Sequence, residues 1–429
     1  MRRRALWILS AAVVASALAV VVGAMWQARE GERLVAEARG RLDASLVDAP
    51  ELDRIQASTA VSLLERAERI GHGGAWVTGL SHLARTIEDL QKGDLILAEG
   101  ELTSARHRLG GTADVHVLEA ALARARDDAP GATRHAARAL ELAPENRRAL
   151  LMAADLALDR NDGRAALQYL ERLARLEPNA ASVRNRLALA RLAVGDPVRA
   201  ERDLREAVRL DARDAAPWIN LGRVLRDRGA IADARDAFAE AIRRAPGSAD
   251  AHLGRGLCRS TLGDLRGGLP DLVRAAELAP NEAEPLLALG DLASRSADVP
   301  GAIAAYREAL ARDASDPAAW LKLGNALARH GDLTPAVTAY RESLSRSPEL
   351  AAAHNGLGAA LSRLGQPLEA SAALERAAEL DARDANPLLN LAMLRERSGD
   401  HTGARDAWRA ALSRDPDNRV ARRRLGLGG

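Results

Sequence analysis

The chain's 429 residues suffice for several domains or one extended array. With 47% of them hydrophobic but only 2% aromatic, a core has to be assembled mainly from Leu, Ala and Val. The 61 basic and 59 acidic residues interleave to a net charge of +2, which excludes the one-sided basic field of a nucleic-acid-binding protein, and the single cysteine, Cys258, excludes an intrachain disulfide and any multi-cysteine metal site.

Ala, Leu, Arg and Glu are strong helix formers and fill almost every segment, which predicts an all-α protein. The Arg/Ala bias, with Lys92 and Lys322 the only lysines, points to a bacterial source. Cys258 falls mid-helix among apolar neighbours and reads as a buried, inert thiol.

Residues 1–26 form a device of their own. Arg2, Arg3 and Arg4 precede an uncharged run from Ala5 to Trp26, whose 22 residues span roughly 33 Å as a helix, enough to cross a bilayer core. Trp7 and Trp26 lie near its two ends, where indoles favour the headgroup region. The run reads as a single transmembrane anchor at residues 5–26 in the inner (cytoplasmic) membrane, with a cleaved signal peptide ending near Val22-Gly23-Ala24 as the competing reading. The leading arginines favour export of the body to the periplasmic side, whereas Arg29, Arg33, Arg39 and Arg41 on the other flank weaken the charge contrast and keep the cytoplasm-facing orientation as its rival. Ala11, Ala15, Ala19 and Gly23 recur every four residues, a small-residue stripe of the kind that lets transmembrane helices form a homodimer. Residues 27–78 are helical in composition but out of register with the repeats C-terminal to them, a helical neck or degenerate repeats.

From Gly79 to Asn418 one unit recurs about ten times with a period of 34 residues and no insertion. "WINLGRVLRDRGAIADARDAFAEAIRRAP", Trp218 to Pro246, aligns with "WLKLGNALARHGDLTPAVTAYRESLSRSP", Trp320 to Pro348, three periods on. The first helix of each unit starts near a proline such as Pro217, Pro285 or Pro387, which suits a first turn that needs no N–H. It stops at a glycine that tolerates the left-handed conformation: Gly195, Gly229, Gly263, Gly331, Gly365 or Gly399. A second helix then runs to Pro144, Pro178, Pro246, Pro280, Pro348 or Pro416. Small residues such as Gly222, Gly290 and Gly324 in first helices, and Ala200, Ala234 and Ala336 in second ones, mark where paired helices touch. Larger residues such as Phe238, Tyr306, Tyr340 and Trp408 fill the space between hairpins, and no single hairpin can bury its apolar face alone.

This spacing resembles the tetratricopeptide repeat family, matched in the first quoted stretch by Trp218, Leu221, Gly222, Ala234, Phe238, Ala241 and Pro246. The resemblance covers roughly four-fifths of the chain and implies an α-α superhelix, a solenoid of helix-turn-helix units with a concave groove lined by first helices. Its pattern is weakest in the units from Gly79 and Ala113, which have Thr86, Glu119 and Ala136 where the family prefers Gly/Ala, Leu and an aromatic or leucine. In "GDLRGGLPDLVRAAEL", Gly267, Gly268 and Pro270 predict a second helix that starts late. Residues 419–429 read as a truncated capping helix with a basic tail.

No nucleophile elbow, phosphate loop or dinucleotide fingerprint occurs, so the chain reads as non-enzymatic, without cofactor or catalytic residues. Carboxylates alternating with arginine describe solvated helix faces. His82, His116, His252 and His354 fall at the repeat position of Trp218 and Trp320, whole repeats apart, and His72, His107, His135, His330 and His401 lie near helix ends in no ligand-spaced pair. Packing, and no metal site, is the expectation. The resemblance places Asn220, Arg223, Arg295, Lys322, Asn325, Arg329, Asn355, Arg363, Asn390 and Arg397 toward the concave side, with four of the arginines spaced by 34. Such a ladder of arginines and amides suits the backbone or carboxylates of an extended peptide, although a basic residue near a helix C-terminus also favours the dipole. The full Lys/Asn set of the family's carboxylate clamp is missing, which argues against capture of a chaperone C-terminus. The expectation is a membrane-anchored scaffold of the bacterial cell envelope that binds protein or peptide partners and no nucleic acid. The alternatives are an accessory subunit of a polysaccharide or outer-membrane assembly machine, or a cytoplasm-facing adaptor.

Overall fold

A computed structural model describes residues 24–25, 27–41 and 50–427, and among these all regular structure is helical. No helix among the described residues is long and apolar enough to cross a membrane. The anchor expected at residues 5–26 and the dimerisation stripe Ala11, Ala15, Ala19 and Gly23 lie outside the described residues, apart from Ala24 and Met25.

The chain divides into two units, one ending at Asn220 and one starting at Leu221. The first holds α1 (27–41), α2 (Pro50–Arg69), α3 (Ala75–Lys92), α4 (Leu95–Leu109), α5 (Ala113–Ala125), α6 (Ala129–Leu142), α7 (Arg147–Asp159), α8 (Gly163–Leu176), α9 (Ala181–Ala193) and α10 (Pro197–Leu210). Next comes α11 (Ala216–Asp227), within which the second unit begins. That unit continues through α12 (Ile231–Arg244), α13 (Ala249–Thr261), α14 (Leu265–Leu278), α15 (Glu284–Arg295), α16 (Val299–Arg312), α17 (Pro317–His330) and α18 (Leu333–Arg346). It ends with α19 (Ala351–Arg363), α20 (Pro367–Leu380), α21 (Asn386–Arg397), α22 (His401–Arg414) and α23 (Arg419–Arg424).

From α3 onward, odd-numbered helices are first helices and even-numbered ones second helices, and from α3 to α10 and from α12 to α23 each packs on its sequence neighbours. The expected stop glycines adopt the left-handed conformation: φ is 80° at Gly195, 81° at Gly229, 104° at Gly331 and 80° at Gly399. In three repeats without that glycine, Asp127, Asn161 and Ala297 hold the same conformation at φ of 60°, 56° and 61°. The residue after the stop has its own task. Asp94, Asp128, Asp162, Asp196, Asp264, Asp298 and Asp400 each accept a hydrogen bond from the backbone N–H three residues on, capping the second helix.

The same cap corrects the expectation of a late start after Gly263. Helix α14 begins on schedule at Leu265, with Asp264 Oδ1 accepting from Gly267 N at 2.9 Å, and keeps Pro270 inside it. Gly268 lets it lie close to its partner, since a Cβ there would stand 3.1 Å from the Gly256 carbonyl oxygen.

The core is built as its composition requires, from alanine and leucine with aromatic wedges. Phe238 is 1% exposed and lies against Gly222, where a Cβ would come within 2.9 Å of the ring. Tyr340, 2% exposed, is wedged between α17 and α19, where a Cβ on Gly324 would meet its Cε1 at 2.7 Å and one on Gly356 its Cζ at 2.6 Å. Cys258 is buried, and burial pushes its thiol pKa up to about 11, so it is the inert thiol expected.

Candidate binding groove

Arg295, Arg329, Arg363 and Arg397 close the first helices α15, α17, α19 and α21, where a cation favours the C-terminal dipole. Each guanidinium reaches back to the first helix of the preceding repeat. Arg295 Nη1 donates to Ser260 Oγ at 2.9 Å and Arg329 Nη1 to Ser294 Oγ at 2.9 Å. Arg363 Nη1 donates to the Ala328 carbonyl at 2.9 Å and Arg397 Nη2 to Ser362 Oγ at 2.6 Å. The spacing is 35 residues each time, so every rung both stitches two repeats and fixes the direction of its guanidinium. A guanidinium has five N–H donors, so a single bond of this kind does not exhaust its fork. The acceptors Ser260, Ser294 and Ser362 escaped sequence reasoning, although they share one repeat position beside the arginine, where Ala328 stands in the intervening unit.

One turn earlier lies a second row. Asp291 accepts from Lys322 Nζ at 2.7 Å and from Tyr306 Oη at 2.7 Å. In the next repeat Asn325 Oδ1 accepts from Tyr340 Oη at 2.8 Å, the same 15-residue link. Burial first, and then the bond to Asp291, drives the Tyr306 phenol far above its ordinary value; burial pushes the Tyr340 phenol up to about 12. Both therefore act as neutral donors that orient Asp291 and Asn325. Asn390 Nδ2 donates to Asn355 Oδ1 at 2.8 Å, a link between α21 and α19 that lies about one further turn toward the helix starts.

Two adjoining cavities open along this face, of about 490 Å³ and 670 Å³. Six expected residues line them: Arg295, Lys322, Asn325, Arg329, Asn355 and Arg363. Their walls carry four cationic side chains against one carboxylate, Asp291. Asn390 and Arg397 attach to this cluster through Asn355 and Ser362. Arg223 lines neither cavity and pairs with Asp250 at 2.8 Å, while Asn220 belongs to the other unit and donates to Asn185 Oδ1 at 2.9 Å.

Elsewhere the packing expectation for histidine fits two of four positions directly. Nε2 of His252 and of His354 lies 3.1 and 2.9 Å from the carbonyls of Pro246 and Pro348, each six residues back, as Trp320 Nε1 lies 2.9 Å from Ala314 O. His82 instead contacts Glu101 at 2.6 Å, and His116 meets both Glu119 and His135. Nor do all carboxylates lie on solvated faces. Asp203 and Asp271 are 5% and 3% exposed; Asp203 is held by Arg184 and Arg191, Asp271 by Arg255 and Arg259. Burial raises the Asp203 carboxyl above the usual range, opposed by its two arginines.

Helical hairpins of 34 residues stacked on their neighbours define a repeat solenoid whose fold suggests a protein–protein interaction scaffold. The sequence profile of the tetratricopeptide repeat matches residues 151–217, 185–248, 219–283, 287–351, 355–419 and 389–427, more than half of the chain, which belongs to that family. The helical pairs α3 to α6 precede the matched stretches. Among solved structures, the chain is similar to a human IFIT1 dimer with PPP-AAAA at 17% identity and a TM-score of 0.49, over 90% of this chain and 95% of that one. Pseudomonas aeruginosa pilF is 18% identical at a TM-score of 0.45, over 50% and 97% of the two chains. The APC/C hetero-tetramer Cut9-Hcn1 gives 14% identity and a TM-score of 0.47 over 94% and 97%. No curated protein matches the chain.

Proposed function

We propose that the protein is a non-enzymatic scaffold that holds an extended, carboxylate-bearing peptide segment of a partner protein against the first-helix face of its second unit. The supporting observation is the row of Arg295, Lys322, Arg329 and Arg363 opposed by Asp291 alone, with the arginines pre-set by bonds to the preceding helix. Pre-set donors lose little entropy on binding, and charge-assisted bonds to carboxylate are stronger than neutral ones. The arginine-led N-terminus and the apolar run of residues 5–26 support tethering to a bacterial inner membrane with the repeats on the outer side, which raises the local concentration of captured partners in the envelope.

Crosslinked pull-down with partners identified by mass spectrometry tests the groove. Replacing Arg329 and Arg363 together by glutamate is expected to abolish capture of acidic segments while leaving the helical circular-dichroism signal intact, and undiminished capture would reject the reading. Capture by the unaltered chain should weaken steeply from low salt to about 0.5 M, since screening shortens the reach of exposed charges to a few ångströms. Alkaline phosphatase fused after Trp26 and at the C-terminus tests orientation, with inactivity at both sites overturning export.

A further inference from the structure

Three side chains that the groove does not use converge on α5 and α6, a hairpin of the first unit. His116 and Glu119 lie one turn apart on α5 and so share a face. His135 comes from α6, 19 residues after His116, the same offset that sets His82 against Glu101 and His252 against Asp271. Glu119 Oε2 lies 2.7 Å from His116 Nδ1 and 2.9 Å from His135 Nδ1, and the two ring nitrogens are 3.4 Å apart. The Glu119 side chain is 11% exposed, and its Oε2 is closed off from solvent without an aligned hydrogen-bond donor. Oε1, its other oxygen, accepts from Arg106 Nη1 at 2.6 Å.

We propose that His116, Glu119 and His135 are the ligands of a divalent transition-metal ion of the Zn²⁺ type that fastens α5 to α6. An ion held tetrahedrally at about 2.0–2.2 Å keeps its ligand atoms roughly 3.3 Å apart. The nitrogen–nitrogen gap of 3.4 Å already has that value, and the two nitrogen–oxygen gaps need to open by about 0.5 Å, a small side-chain rotation. Two imidazoles and one carboxylate suit zinc or its neighbours, whereas calcium and magnesium take oxygen-only sets. Three protein ligands leave a fourth position for water, and His135, at 33% side-chain exposure, borders the solvent from which the ion enters. Arg106 holds the second carboxylate oxygen and so orients the ligand from outside.

The repeat pattern explains why the ion belongs in this hairpin. Position 119 is leucine in six other repeats, of which Leu187, Leu221, Leu323, Leu357 and Leu391 are buried, while the flanking repeats carry Arg85 and Ala153 there. Arg255, another polar occupant of that position, comes with its own buried partner, Asp271. In the same hairpin Ala136 replaces the wedge supplied elsewhere by Phe238, Tyr306 or Tyr340. A metal cross-link restores the inter-helix attachment that the missing leucine and aromatic ring give up.

The test uses the full chain, stripped with a chelator and titrated with ZnCl₂ by calorimetry, then with CoCl₂ read by its visible spectrum. One ion per chain and the bands of tetrahedral cobalt are expected. Glu119→Leu installs the residue of six sister repeats, so it folds with an unchanged helical signal, and it should weaken binding by about 100-fold or more, as should His135→Gln. A control combining His82→Gln with His354→Gln should bind as the unaltered chain does. Zinc should raise the melting temperature of the unaltered chain and not that of Glu119→Leu. Absence of binding, octahedral cobalt bands, or undiminished affinity in Glu119→Leu or His135→Gln would overturn the site.

Discussion

Ala297 occupies the repeat position of the stop glycines and holds φ at 61°, a conformation that costs an L-residue with a Cβ about 1–2 kcal/mol. Ala297→Gly is therefore expected to stabilise the second unit by about 1 kcal/mol in urea unfolding, less whatever glycine gains in the unfolded chain. An unchanged or lowered midpoint would show that the strain is relieved elsewhere. The opposite substitution at Gly324 puts a methyl 2.7 Å from Tyr340 Cε1. Overpacking of about 1–3 kcal/mol exceeds the roughly 1 kcal/mol that alanine gains in helix propensity, so Gly324→Ala should be destabilising on balance. At this scale the sequence announced which positions pack, because size recurs every 34 residues. It did not announce which polar atoms meet, because a bond such as His116 to His135 depends on the 19-residue offset between two helix faces. That offset was readable only from the pairs His82–Glu101 and His252–Asp271 once they were seen side by side.

Among the elements, α14 shows how local signals compete. Pro270 is the sixth residue of the helix, where its missing N–H deprives the Arg266 carbonyl of a partner. A cost on the order of 3 kcal/mol favours a late start. The helix nevertheless begins at Leu265 because Asp264 caps it, and because Asp271, just past the proline, is gripped by Arg255 and by Arg259 Nη1 at 2.9 Å. Arg259 Nη1 also donates to the Gly267 carbonyl at 2.9 Å, tying the first turn of α14 to α13. These bonds are between repeat elements, and a proline rule applied along one strand of sequence has no access to them. Pro270→Ala should then raise stability by about 1–3 kcal/mol, and Asp264→Ala should lower it by about 1 kcal/mol, both read from the denaturant midpoint. A neutral Pro270→Ala would mean that the loss of the proline's backbone hydrogen bond is already compensated by the surrounding helices. The groove obeys the same rule. Its arginines were legible from their period, but their serine acceptors were not, since the bond runs 35 residues back to another helix.

For the molecule as a whole, the helix pairings decide how damage spreads. Within each unit, helices from α2 to α10 and from α12 to α23 pack on the next helix in sequence and, for first helices such as α17 on α19 and α19 on α21, on the next but one. Stability within each unit is then approximately a sum of repeat and nearest-neighbour contributions. Tyr340 is a sharp probe of this because it touches both α17 and α19, and its truncation to alanine should cost about 3–5 kcal/mol. Hydrogen exchange read by mass spectrometry should show lost protection in α17 to α19 of the Tyr340→Ala chain, while α5 to α8 exchange as before. Peptide capture should fall with it, because Arg329 and Arg363 reach Ser294 and Ala328 on neighbouring helices and keep their direction only while those helices stay in place. A uniform loss of protection from α3 to α22 would instead mean that the array folds as one cooperative block, and that the groove's arginines draw their order from the entire chain.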